Sequence, residues 1–122
     1  MTDLISMLMH SRTQAHVFHL RVSPNALAQH MALQTYYEDI VGLIDGIVES
    51  YQGMSGLLEF KPVKGIDNDA DKENIISYFE YLVKFVHTER MKDDLKDISF
   101  IQNEIDNVEK LIYSTLYKLK NL

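Results

Sequence analysis

The chain has 122 residues, of which 46% are hydrophobic and 25% charged, with a formal net charge of −6 and no cysteine. That length suits one domain, and the apolar content is enough to fill a core. The absence of cysteine excludes disulfides and thiolate metal sites, the acidic balance speaks against nucleic acid as a partner, and no apolar run approaches the ~20 residues of a membrane span.

Four segments carry helical periodicity. The first covers about residues 2–20, with Leu4, Leu8, Ser11, Ala15 and Phe18 on one seam, and stops at RVSPN. The start, MTDLISMLMHSR, holds Asp3 and no basic leader, so no signal peptide is expected and a cytoplasmic setting fits. The second covers about 24–52. Ser23 is placed to cap it, Pro24 suits its first turn, and Gly53 suits its end. Its seam is Leu33, Tyr37, Ile40, Ile44, Ile47 and Tyr51.

The third helix is expected over about 70–96, capped by Asp69 or Asp71, with Ile75, Ile76, Phe79, Leu82, Val83 and Val86 facing inward. The fourth is expected over about 99–120, with Ser99 and Gln102 in a capping box. Ile98, Ile101, Ile105, Val108, Ile112, Thr115, Leu119 and Leu122 repeat at three and four residues, the rhythm of bundle packing. Between the second and third helices lies GMSGLLEFKPVKGIDND (53–69), with three glycines and Pro62. It is long for a hairpin. Two short connections flanking one long crossover define an all-α, ferritin-like four-helix bundle, a single domain over residues 1–122. GLLEF is the only stretch with any claim to a short strand or helix of its own.

The second helix carries a polar stripe. At 100° per residue, Gln34, Glu38, Val41, Asp45, Glu49 and Gln52 share one side, with His30 near its start. Asp45 and Glu49 lie one turn apart, where like charges repel slightly and a cation would reverse the sign. A solvated acidic face is the bland reading. His30 and Asp45 are 15 residues apart, about 22 Å along a helix, so they cannot share a ligand within one chain. They meet if two copies of the helix lie antiparallel across a two-fold axis near Tyr37, Glu38 and Asp39, which forms the arrangement twice. Gly42 and Gly46 would then permit the close approach; the alternative is that they pack within the bundle. His16 and His19 end the first helix three residues apart, and His19 should stand near the level of His30. His10 is expected to be exposed or half-buried, and His87 to be a surface or core-edge residue. No Glu-x-x-His occurs, so a site inside one bundle is disfavoured.

The stretch QAHVFHLRVSPNALAQH followed by DGIVE (45–49) resembles the Dps-like branch of the ferritin superfamily. The compact chain is also similar to small phage-encoded ferritin-like proteins. His30, Asp45 and Glu49 match that family's order, and His19 matches its first histidine, with His16 as the alternative. Gln34 stands where the family usually has an acid, and Leu20 where it usually has tryptophan. The resemblance implies an iron site of ferroxidase type shared between two subunits, with His19, His30, Asp45 and Glu49 as ligands and His16, Gln34 and Glu38 as further candidates. Imidazole with carboxylate also suits zinc or manganese, and zinc would act as a structural clip. The implied partner is a second copy, in a homodimer or higher homo-oligomer formed through the second helix. The competing expectation is a metal-free bundle acting as a structural or protein-interaction module.

Overall fold

The computed structural model describes residues 1–61, 63 and 65–122; Pro62, expected to shape the long connection, and Lys64 lie outside the described residues. Four helices make the fold: α1 (Thr2–Arg21), α2 (Leu27–Ser55), α3 (Lys72–Arg90) and α4 (Ser99–Asn121). α1 packs on α2 and α3, and α4 packs on the same two. The result is an all-α four-helix bundle in which α2 and α3, consecutive in the chain, make no comparable contact. None of the helices is long and apolar enough to cross a membrane, among the described residues.

The apolar seams meet in one core. Leu4, Leu8, Phe18, Leu33, Ile40, Ile47, Ile75, Phe79, Leu82, Ile105 and Ile112 are fully buried. Tyr36, rather than Tyr37, is the buried aromatic of α2. The polar position in the α1 seam explains this choice. Ser11 donates its proton to the Leu8 carbonyl (2.6 Å), and the Tyr36 hydroxyl donates to Ser11 Oγ (2.6 Å). A buried phenol is satisfied there, as burial demands.

The long connection lies along α1. Ser6 donates to the Lys61 carbonyl (3.3 Å), Gln14 exchanges two bonds with the Asp67 backbone (2.7 and 2.8 Å), and Arg21 donates to the Asn68 carbonyl (2.7 Å). Its numbering therefore rises with that of α1. The GLLEF stretch is neither strand nor helix.

Several helix ends differ from the sequence reading, each for a visible reason. Residues 23–26 form a turn closed by Ala26 N–H to the Ser23 carbonyl (2.9 Å), so α2 begins at Leu27 rather than at Pro24. α2 continues through Gly53 and stops at Gly56, whose φ of 88° is the left-handed region that glycine tolerates. α3 stops at Arg90, earlier than the periodicity suggests. Gln102 donates to the carbonyls of Arg90 (2.8 Å) and Leu95 (3.1 Å), holding residues 91–97 as a compact turn. The expected capping box is therefore absent: Ile98 stands at the N-cap and Gln102 is spent on the preceding turn. Leu122, placed on the core seam by its spacing, is 62% exposed.

Candidate functional site

The tight turn between α1 and α2 brings His19 and His30 together. Their rings stack with centroids 3.7 Å apart and planes 23° from parallel. His19 Nδ1 lies 2.8 Å from the His30 carbonyl, and His30 Nδ1 lies 3.0 Å from the His19 carbonyl. A carbonyl only accepts, so both Nδ1 atoms carry protons. In the neutral rings each Nε2 then holds a lone pair, and no hydrogen bond among the described residues occupies either one. This is the state in which imidazole ligates a metal: one nitrogen fixed by a backbone carbonyl, the other free.

Both rings line a cavity at the turn with Leu20, Val22, Pro24 and Leu27. His19 is buried and His30 half-buried. Around them Leu20 (68% exposed), Leu27 (69%) and Met31 (49%) present large apolar side chains outward. Below them Tyr37 joins the cluster. Its ring stands edge-on to His19 at 5.3 Å and stacks on His16 at 4.4 Å. His16 is exposed, and its ring centre is 6.2 Å from that of His19.

The acids lie elsewhere on α2. Asp45 is exposed in a groove between α1 and α2, beside Met9, Arg12, Thr13, Val41 and Ile44. Glu49 is exposed one turn further on. Glu38 is exposed and accepts a bond from Gln34 Nε2 (3.1 Å). Asp39 falls on the opposite flank, in a groove shared with Asn107 and Lys110 of α4. Among the described residues, no group of three His, Asp or Glu side chains is placed to hold a metal ion. The chain thus pairs His19 with His30, leaves His16 behind Tyr37, and keeps Asp45 and Glu49 away from them along an unbroken helix.

The two glycines separate. A Cβ built on Gly46 would meet Glu104 Oε2 of α4 at 3.2 Å, so this glycine serves packing within the bundle. Gly42 has nothing within 4 Å of a built Cβ and is exposed on the same side as Glu38 and Asp45. The expectation that both glycines face a partner helix does not hold for Gly46.

The reciprocal backbone bonds of His19 and His30 escape sequence reasoning, which sees only histidines on either side of a short turn. The pairings of His10 with Tyr78 and of His87 with Glu109 also escape it (2.9 and 3.4 Å). They join residues on different helices whose order in the sequence gives no spacing signal.

A model of a family of unknown function, DUF5856, matches residues 19–119, a span that holds His19, His30, Asp45 and Glu49. No curated protein and no solved structure matches the chain.

Proposed function

The chain belongs to this family of unknown function, and for it we propose a metal-binding homo-oligomer of ferritin-like, Dps-like type whose site is shared between two copies. His19 and His30 of one copy supply imidazole nitrogen, and Asp45 and Glu49 of the other supply carboxylate oxygen. The observation that carries this reading is the stacked histidine pair, with both Nδ1 protons committed to carbonyls and both Nε2 atoms uncommitted. Two imidazoles alone make an incomplete ligand set. Asp45 and Glu49 are exposed carboxylates further along the same helix, and about 22 Å of helix or more keeps them out of reach within one chain.

The outward face of α2 supports the shared arrangement. The main packing of α2 is on α1 and α4, and Leu27, Met31, Glu38, Gly42, Asp45 and Glu49 follow one exposed line along it. Two such lines laid antiparallel set Leu27 and Met31 against the acids of the partner and withdraw the site from bulk water. The chain's own residues then fix the ring tautomer, orient the imidazoles and supply negative charge. Mixed nitrogen and oxygen donors favour iron, zinc or manganese over soft metals. Bound iron would supply a redox couple open to dioxygen or peroxide, the basis of a ferroxidase; zinc would supply a cross-link only. The cysteine-free, acidic chain suits a cytoplasmic setting without nucleic acid.

A second reading rests on the same exposed apolar side chains. Leu20, Leu27 and Met31 also suit a metal-free bundle that docks on another protein. Anaerobic titration with Fe(II) and Zn(II), with sedimentation of the same samples, separates the two. Tight binding that is lost in Asp45→Ala/Glu49→Ala and accompanied by dimerisation supports the shared site. Oxygen added to the iron sample then tests for ferric product. Absence of specific binding, or binding by a strict monomer, overturns the shared site and leaves the interaction module.

A further inference from the structure

A histidine–tyrosine pair lies away from the turn, between α1, α3 and the long connection. Tyr78 packs into the core edge, edge-on to Phe18 (5.7 Å) and Phe79 (5.5 Å). Its hydroxyl is 2.9 Å from His10 Nδ1, and His10 Nε2 is 3.1 Å from the Gly65 carbonyl. The carbonyl fixes the tautomer: Nε2 carries the proton and Nδ1 the lone pair. The Tyr78 hydroxyl therefore donates to a base. We propose that Tyr78 is a redox-active tyrosine whose phenolic proton passes to His10 Nδ1 as the electron leaves.

The step balances. A one-electron, outer-sphere oxidant of high potential, such as hexachloroiridate(IV), takes one electron from the phenol and becomes hexachloroiridate(III). The Tyr78 O–H bond breaks, an N–H bond forms at His10 Nδ1, and the products are a neutral phenoxyl radical and an imidazolium. The imidazolium keeps its Nε2–H bond to Gly65 and donates its new proton back to the phenoxyl oxygen, so re-reduction restores the starting pair. Burial pushes the Tyr78 phenol well above its usual range, which bars prior ionisation and couples electron loss to proton transfer. Asp67 and Tyr81 are the other titratable groups on the cavity that His10 and Tyr78 line, and the Asp67 carboxylate offers charge of the sign an imidazolium needs.

Tyr36 supplies the contrast within the same protein. It is fully buried, but its proton goes to Ser11 Oγ, a hydroxyl whose own proton is held by Leu8. Such a hydroxyl is too weak a base to receive it. The proposal uses none of the residues of the metal reading and stands or falls separately from it.

The test is oxidation of the full chain by less than one equivalent of hexachloroiridate(IV), followed by stopped-flow absorbance and electron paramagnetic resonance. Wild type should give a persistent phenoxyl signal that is lost in Tyr78→Phe and kept in Tyr36→Phe. His10→Gln, with its fold checked by circular dichroism, should oxidise about 100-fold more slowly, the scale of a positioned base. Wild type should also slow in deuterium oxide, a measurement that needs no variant to fold. Survival of the signal in Tyr78→Phe, wild-type rates in His10→Gln, no solvent isotope effect, or dityrosine from exposed Tyr81, Tyr113 and Tyr117 as the sole product would each overturn the proposal.

Discussion

His19 and His30 face each other with ring centres 3.7 Å apart, and each gives its Nδ1 proton to the other's backbone carbonyl. The pair closes the turn between α1 and α2 from both sides, and it does so with main-chain acceptors that no side-chain substitution removes. Folding the turn and presenting two Nε2 lone pairs are thus the same event. In a two-fold interface each complete site takes histidines from one copy and acids from the other. Mixing His19→Ala/His30→Ala chains with Asp45→Ala/Glu49→Ala chains should therefore regenerate binding that neither variant has alone. Random exchange makes half of the dimers mixed, each with one complete site, so about a quarter of the wild-type capacity should return. Isothermal titration before and after exchange reads this directly; no recovery would rule out sites built across a two-fold axis.

Gly42 and Gly46 should respond differently to the same substitution. An alanine at Gly42 meets nothing in the isolated chain, so it should gain most of the ~0.8–1.0 kcal/mol that glycine costs inside a helix. At Gly46 the new methyl crowds Glu104 Oε2 at 3.2 Å, a buried oxygen without a hydrogen-bond partner among the described residues, and the side chain must swing aside, which offsets part of that gain. Urea melts of the monomer should rank Gly42→Ala above Gly46→Ala. Gly42→Leu should leave the monomer folded while weakening self-association in sedimentation. An unchanged association constant would remove Gly42 from the interface.

Four helices, their order and most of the core were legible because apolar spacing at three and four residues is a direct consequence of helix geometry. What eluded the pattern were side chains with two competing uses. Gln102 has the spacing of a capping partner for Ser99, but Arg90 and Leu95 offer it carbonyls from another helix and its turn. Tyr36 and Tyr37 are adjacent, so periodicity alone assigns either to the seam; the Ser11 hydroxyl across the core decides for Tyr36. At the candidate site, the nearness of His19 to His30 could be read from the short connection between their helices. The stacking of His19 on His30 could not, because it depends on backbone carbonyls exposed by the turn.

The Ser11–Tyr36 pair predicts an asymmetric cost. Tyr36→Phe removes a donor and leaves Ser11 still bonded to Leu8. The loss should be one net hydrogen bond, about 0.5–1.5 kcal/mol. Ser11→Ala instead strands the Tyr36 hydroxyl in the core without its partner, which should cost about 1–3 kcal/mol. The double variant should recover part of the Ser11→Ala loss, since no polar group is then left orphaned. Thermal denaturation of the three variants gives the order, and a Tyr36→Phe loss larger than that of Ser11→Ala would show that the phenol finds another acceptor.

Asp67 should make the attachment of the long connection sensitive to acid. Asn74 Nδ2 donates to its Oδ2 (2.8 Å) and the Asp69 N–H to its Oδ1 (2.9 Å). These bonds, the Asn74 one first, hold the carboxyl below its ordinary range. A depressed folded-state value means that the unfolded segment binds a proton more readily. The contribution is therefore full above the unfolded-state value and is lost as pH falls through the lower, folded-state one. Asn74→Ala should raise the Asp67 midpoint toward the usual carboxylate value, and the part of the connection's attachment that acid removes should shrink with it. Side-chain carboxyl NMR reads the midpoint. Exchange of the Asp67 amide, which donates to Gln14 Oε1 (2.8 Å), reads the release. A midpoint that stays put in Asn74→Ala would assign the depression to the Asp69 amide instead, and the connection would then keep its wild-type acid tolerance.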